Sequence, residues 1–221
     1  MRKIIGAVFQ SLDGVMQAPG GPDEDPTGGF AHGGWMFPLA DEGVGAEIGQ
    51  LFSRDFDLLL GRRTYQIFAA YWPYAPDETK DIRDPFNACT KYVVTAGDAP
   101  LAWEKSVRVS GMDALRAIKQ EDGRDLIIQG SSTLYPQLLE AGLLDRVTVM
   151  TFPVLLGGGK RLFGDGTPSK TMRLADHRVS ERGTIIATYE PAGSVDTGSF
   201  ASDHPSEREQ VRQAAMQQGA W

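Results

Sequence analysis

Cysteine is nearly absent: Cys89 is the one thiol in 221 residues. A lone thiol closes no internal disulfide and builds no cysteine metal site, so a disulfide scaffold and a zinc ribbon are both excluded. The three histidines, His32, His177 and His204, are scattered, and none has metal-site spacing. Positive charge is in deficit, with 22 Lys and Arg against 29 Asp and Glu and a formal net charge of −7. General nucleic-acid binding, which needs a basic face, is therefore not expected, although one small anion could still bind at a local basic patch. No apolar run approaches the ~18 residues of a membrane helix. The opening MRKIIGAVFQSLDG has too short and broken an apolar stretch for a signal peptide and reads as a strand. A cytoplasmic location without membrane contact is expected. G-x-S-x-G and any recognisable Ser-His-Asp or Cys-His arrangement are missing, so nucleophilic hydrolysis has no support. G-x-G-x-x-G after the first strand, the usual dinucleotide fingerprint, is missing as well.

What is present reads as a globular chain, 41% hydrophobic and 23% charged. Short apolar segments at 3–9, 56–61, 91–96, 125–130 and from 146 onward are rich in β-branched residues or leucine and read as strands. A further short strand is placed near 106–109. Helical spacing lies between them, at 41–52 (Val44, Ile48, Leu51, Phe52), 62–72, 112–119 and 131–143. Strands alternating with helices predict an α/β fold with a central, mostly parallel sheet flanked by helices. The last two segments, 172–179 and 184–190, add an antiparallel C-terminal edge. Prolines 73, 76 and 85 break up the stretch after the second helix. After Pro191 large apolar residues become sparse, so residues 1–190 are read as one domain and 191–221 as a polar, flexible tail. Within that tail, 206–218 could form a helix with a thin apolar face, and Trp221 is expected to be exposed.

Glycine is abundant, at 26 residues, and clustered. Seven of them, with four prolines, fall in residues 13–38. A loop this long inside a compact domain is usually functional or disordered. Phe30, Trp35, Met36 and Phe37 argue against disorder and for a loop folded over a pocket. The run Asp23, Glu24, Asp25 reads as a solvated loop tip, since the Pro and Gly around it give no fixed metal geometry.

Three strand ends share a form: LLLG before Arg62-Arg63-Thr64, VVTA at 93–96, and LIIQG before Ser131-Ser132-Thr133. In a parallel sheet such ends lie on one edge, where ligands bind. Free N–H groups at a helix start attract phosphate, Gly130 lets the backbone approach closely, and the hydroxyls add donors. The same Ser and Thr could simply cap helices. Arg62 and Arg63 oppose the helix dipole, which favours a ligand role, and a planar guanidinium matches phosphate bidentately. Asp13 and Asp41 are candidates to orient or protonate a ligand. As alternatives, Asp13-Gly14 is a turn pair and Asp41 a helix cap.

These segments resemble the dihydrofolate reductase superfamily, most of all the branch related to the reductase domain of bacterial riboflavin biosynthesis. The resemblance spans about 3–190. It rests on SLDG (11–14), LLLGRRTY (58–65), KYVVTA (91–96), LIIQGSSTLYPQLLEAGLLDRVTV (126–149) and FPVLLGGGKRLF (152–163). It implies an NADPH-dependent reductase transferring a hydride to a C=N or C=C bond of a small pterin- or pyrimidine-like heterocycle, and it implies a homodimer. On the matching positions, Gly61, Arg62, Arg63 and Thr64 would hold the 2′-phosphate side of the cofactor. Thr95 and Ala96 would form the second phosphate-side strand end. Gln129, Gly130, Ser131, Ser132, Thr133 and Leu134 would form the pyrophosphate turn. The loop with Trp35 resembles a lid over nicotinamide, and the segment ending at Asp41 echoes, with one extra residue, the one that supplies the pterin-binding carboxylate. Phe30, Trp35, Phe37 and Phe152 are the candidates to stack on a planar substrate, Phe152 also reading as core. The sequence departs from the family in having Ser131 where a second glycine is usual, and in a longer, glycine-richer early loop. Neither H-x-E nor P-C-x-x-C is present, so a fused deaminase activity is not expected. A non-catalytic nucleotide-binding or interaction module on the same fold is the alternative, for want of an obvious proton donor, and a flavin-using oxidoreductase is a third option.

Overall fold

Eight strands form one sheet in a computed structural model that describes residues 1–201 and 204–219. They are β1 (Ile4–Ser11), β2 (Phe56–Gly61), β3 (Lys91–Val94), β4 (Ser106–Val109), β5 (Asp125–Gln129), β6 (Arg146–Phe152), β7 (Met172–Val179) and β8 (Ile185–Pro191). Their order is β4-β3-β2-β5-β1-β6-β8-β7. From β4 to β6 every pairing is parallel, whereas β8 runs antiparallel to both β6 and β7. This is the mostly parallel sheet with an antiparallel edge that the sequence pattern predicts. Among the described residues six α-helices accompany it: α1 (Glu42–Phe52), α2 (Arg62–Tyr71), α3 (Lys80–Ala88), α4 (Met112–Gln120), α5 (Leu134–Glu140) and α6 (Glu207–Gln217).

Alternation along the strands sorts side chains into two faces. Ile4 and Val8 of β1 join Leu59, Leu126, Ile128 and Val147 under α4 and α5. Ile5 joins Leu58, Leu60, Val93 and Ile127 under α1, α2 and α3, where Phe52, Tyr65 and Phe86 pack. Ala7, Met150, Phe152 and Ile186 are covered instead by the early loop, through Val15, Ala18, Phe30, Trp35 and Met36. A Cβ at Gly6 would stand 2.6 Å from the Tyr135 ring, so only glycine lets α5 lie this close to β1.

Two expectations need correction. The proline-rich stretch after α2 does not stay irregular: α3 forms with Pro85 inside it. Interior proline costs about 3 kcal/mol. Phe86, fully buried, packs its ring 4.9 Å from both Phe52 and Trp72, and burial of an aromatic in such a cluster offsets that cost. The second correction concerns α5, which begins at Leu134 rather than near 131 and has only 7 residues. Beyond the sheet, Ser206 caps α6, which buries none of its residues, while Trp221 lies outside the described residues.

At the amino edge of the sheet, Arg2 is buried and donates to Asp57 (2.5 Å), to the Arg124 carbonyl (2.5 Å) and to the Tyr92 hydroxyl (3.0 Å). Asp57 also accepts from the Thr90 amide at 3.0 Å. Removing one member of a buried pair strands the other charge. Asp57→Ala is expected to cost about 3–5 kcal/mol, read as a lower urea midpoint at unchanged slope; a midpoint within error of the parent would contradict the assignment.

Candidate active site

Strands β3, β2 and β5 are parallel neighbours, so their carboxyl ends meet on one edge. There the β2 turn and the β5 turn are tied together. The Gly61 amide donates to Ser131 Oγ, and the Ser131 amide donates to Thr64 Oγ1, both at 3.0 Å. Gly130 and Ser131 have φ of +74° and +56°. Gly130 takes this conformation without penalty. For Ser131 the left-handed region costs roughly 1–2 kcal/mol, and the two cross-turn hydrogen bonds offset it. The departure from Gly-Gly thus preserves the backbone path and adds a cross-link. The Ser132 and Thr133 amides have no partner among the described residues.

Beside these turns opens a cavity of about 1220 Å³. Gly61–Thr64 and Gln129–Thr133 line one part of it. Its apolar wall comes from α1 and α2 (Val44, Ile48, Phe52, Ile67, Phe68) and from Met16 and Met36 of the early loop. The two arginines differ. Arg62 spans the ring of Tyr65 and donates to the Ala99 and Pro100 carbonyls at 3.2 and 3.3 Å, clamping the loop after β3. Arg63 is exposed and has no hydrogen-bond or ion-pair partner among the described residues. Thr95 and Ala96 stand at the end of the neighbouring strand but do not line the cavity, and Leu134 is buried beneath the turn.

The early loop is stapled down by the 152–163 segment, whose glycine run is its clamp. Asp13 accepts from the Leu156 amide (3.1 Å) and the Gly157 amide (2.8 Å). Met16 donates to the Lys160 carbonyl, Lys160 N–H donates to Gln17 Oε1, and Lys160 Nζ donates to Asp25 and Thr27. The acidic run is therefore not a solvated tip as a whole: Asp25 is buried against Lys160, and Glu24 accepts from the Gly20 amide at 2.5 Å, leaving Asp23 exposed. Trp35 and Phe152, read as substrate-stacking candidates, are committed to each other edge-to-face at 5.5 Å and do not line the cavity. Trp35 Nε1 donates to the Gln17 carbonyl, which makes it an anchor of the loop. Phe30 is buried in the same cluster, while Phe37 is exposed and does line the cavity. Met16, Ile67, Phe68 and Lys160 carry no signal as wall residues in one dimension, where each reads equally well as core or surface.

Neither aspartate is free. The Ser11 hydroxyl, with the Leu156 and Gly157 amides, holds the Asp13 carboxyl below its ordinary range. The Arg182 amide and Ser180 hydroxyl do the same for Asp41, which also caps α1 at the Val44 amide (3.1 Å). Asp41 lines the cavity; Asp13 does not. Burial pushes Asp25 up, but hydrogen bonds from Lys160 and Thr27 outweigh it and leave the group lowered. Glu24 moves the other way, pushed up by burial.

The family model described as the RibD C-terminal domain matches residues 2–186. The chain belongs to this family. Among its relatives is the uncharacterised protein YyaP of Bacillus subtilis strain 168, 22% identical over 192 residues that cover 85% of this chain and 94% of YyaP. A putative riboflavin biosynthesis protein from Shewanella sp. PV-4 superposes with a TM-score of 0.59 at 21% identity, over 86% of this chain and 99% of that one. The dihydrofolate reductase of Enterococcus faecalis, solved with NADP(H), superposes at 0.54 with 15% identity, over 86% and 96%. These likenesses establish the dihydrofolate-reductase-like fold of this RibD C-terminal domain relative.

Two outcomes test the site. Ser131→Ala leaves the Gly61 amide buried without an acceptor and is expected to cost about 1–3 kcal/mol; Ser131→Gly, relieved of its left-handed strain, is expected to unfold at a higher urea concentration than Ser131→Ala. Equal midpoints would show that Ser131 carries no strain. For pH, the lowered Asp13, Asp25 and Asp41 contribute stability that is complete above the ordinary 3.8 and lost as pH falls below it through their folded values. The urea midpoint should therefore fall more steeply below about pH 4 in the parent than in the triple Asp→Asn variant; parallel curves would refute it.

Proposed function

We propose that this RibD C-terminal domain relative is an NADPH-dependent reductase that transfers a hydride to a C=N or C=C bond of a small heterocycle of the pterin or pyrimidine kind. The observation that carries the reading is continuity: one cavity joins the paired strand-end turns to an apolar chamber. Its ~1220 Å³ exceeds the roughly 300–1,000 Å³ of a pocket for one small ligand, so cofactor and substrate can sit side by side. The residues fit the nucleotide. The unpartnered Ser132 and Thr133 amides and the first turn of α2 offer N–H donors to phosphate. Arg63, lacking an acidic partner, would take the extra 2′-phosphate with its planar guanidinium, and Arg62 would hold the adjacent loop beneath it. Bound NADPH supplies the hydride. The chain's own work is to orient the ring and exclude water, with α1, α2 and the stapled loop as walls. Asp13 and Asp41, both deprotonated at neutral pH, would not donate the proton. That same observation favours the second reading, a binding module without turnover.

Titration with NADPH and NADH, followed by nicotinamide fluorescence, tests the proposal. NADPH is expected to bind at sub-millimolar concentration and at least roughly tenfold more tightly than NADH, with the preference lost in Arg62→Ala plus Arg63→Ala. Binding of neither nucleotide would end the reading, and NADPH binding without oxidation across pterins, pyrimidines, flavins and quinones would favour the module.

A further inference from the structure

We infer that the substrate part of this cavity selects a ring system carrying no phosphate or other anionic group. The inference rests on the reductase reading, and its ground is the charge of the wall. Three cationic side chains line the cavity: Arg62, Arg63 and Lys160. Lys160 is spent, because its ammonium donates to the buried Asp25 and to Thr27. The two arginines stand together at the start of α2, beside the β5 turn, where Arg62 is occupied by the Ala99 and Pro100 carbonyls and Arg63 would be used by the nucleotide's own phosphate. With NADPH in place no cation is left over for a second anion.

Carboxylates, in contrast, remain. Asp23, Glu24, Asp41 and Asp81 all line the cavity, and none has a salt-bridge partner among the described residues. Asp23 and Glu24 come from the early loop, Asp41 from the cap of α1, and Asp81 from α3. Between them the wall is apolar: Met16, Met36, Phe37, Ile48, Phe52 and Phe68. Gln17, a polar side chain that could greet a substrate, has its amide consumed by the Asp25 and Thr27 carbonyls and its oxygen by Lys160 N–H. A phosphate monoester brings close to two negative charges at neutral pH. Moving it from water to an apolar wall whose carboxylates have no cationic partner among the described residues removes its hydration and supplies no counter-charge. Discrimination of this kind works by rejection of the wrong ligand and needs no special contact to the right one.

Binding to the NADPH complex of the full chain tests the inference with two probe pairs that differ by one phosphate: riboflavin against flavin mononucleotide, and 6-hydroxymethylpterin against its monophosphate. Calorimetry is expected to show the unphosphorylated member of at least one pair binding ten or more times more tightly than its phosphate ester. Glu24→Lys should shrink that ratio at least threefold, and Asp23→Lys, at an exposed position, serves where Glu24→Lys fails to fold. A ratio below ten in both pairs, binding of no probe at all, or a ratio unmoved by the charge reversal would overturn the inference. Failure of NADPH itself to bind is a separate result, because it removes the reductase reading on which the selection stands.

Discussion

Ser131 sets the geometry on which the rest of the site depends. It holds a left-handed backbone, with φ of +56°, a region that favours glycine. Two hydrogen bonds, one given and one received, lock it to the turn after β2. Each is worth roughly 0.5–1.5 kcal/mol, together about what the backbone strain of roughly 1–2 kcal/mol removes. The net energy is near zero, so the arrangement is explained by position more than by stability. It ties two strand ends, from β2 and β5, together at the edge where both turns line the cavity.

The early loop depends on a different constraint. Ordering a residue costs about 1–2 kcal/mol of backbone entropy, and a segment this long cannot be held by its own turns. Val15, Phe30, Trp35 and Met36 each bury a side chain worth roughly 1.5–3 kcal/mol, and the 156–162 backbone supplies partners for Asp13, Gly14, Met16 and Gln17. The loop is accordingly a wall over much of its length. Its portion from Pro19 to Glu24 lines the cavity, as Met16, Met36 and Phe37 do, but contributes no buried apolar side chain. Local opening is cheapest where buried contacts are fewest, so any admission of substrate through the loop falls on those residues, with the anchored parts as fixed hinges.

Periodicity made most of the architecture legible. Strands with period two and helices with period near 3.6 announce themselves, and the Asp41 cap was readable from residue type and position alone. The failures share a cause. Helix α3 was hidden because local propensity counts Pro85 against a helix, while the energy that overrides it comes from Phe86 meeting rings far away in the chain. Trp35 and Phe152 looked like substrate platforms because an aromatic on a loop and one at a strand end do not reveal in sequence that they face each other. The glycine run at 157–159 was visible as a motif, but its role as a clamp for Asp13 depends on a pairing 143 and 144 residues apart. The paired arginines were legible as a pair, yet the sequence could not say that Arg62 is occupied with the Ala99 and Pro100 carbonyls while Arg63 has no partner among the described residues.

The same pairings bear on how much a shared fold says about chemistry. A family fold fixes where a ligand can sit, whereas the reaction is decided by which polar groups remain uncommitted there. Here the carboxylate in the position expected to recognise a pterin, Asp41, spends its oxygens on the Val44 amide, the Arg182 amide and the Ser180 hydroxyl. A carboxylate offers about four acceptor sites, and Asp41 already spends three of them on bridging a helix start to the β7–β8 turn. Arg182 strengthens that bridge by donating to the Pro38 carbonyl, and Arg178 of β7 pairs with Glu47 of α1, so the hairpin is tied to the helix by more than one contact. Asp41 is thus part of the frame. On the proposed reading, recognition in this chamber would fall to shape and to apolar contact, and polarity would act mainly through the wall carboxylates that have no ion-pair partner among the described residues.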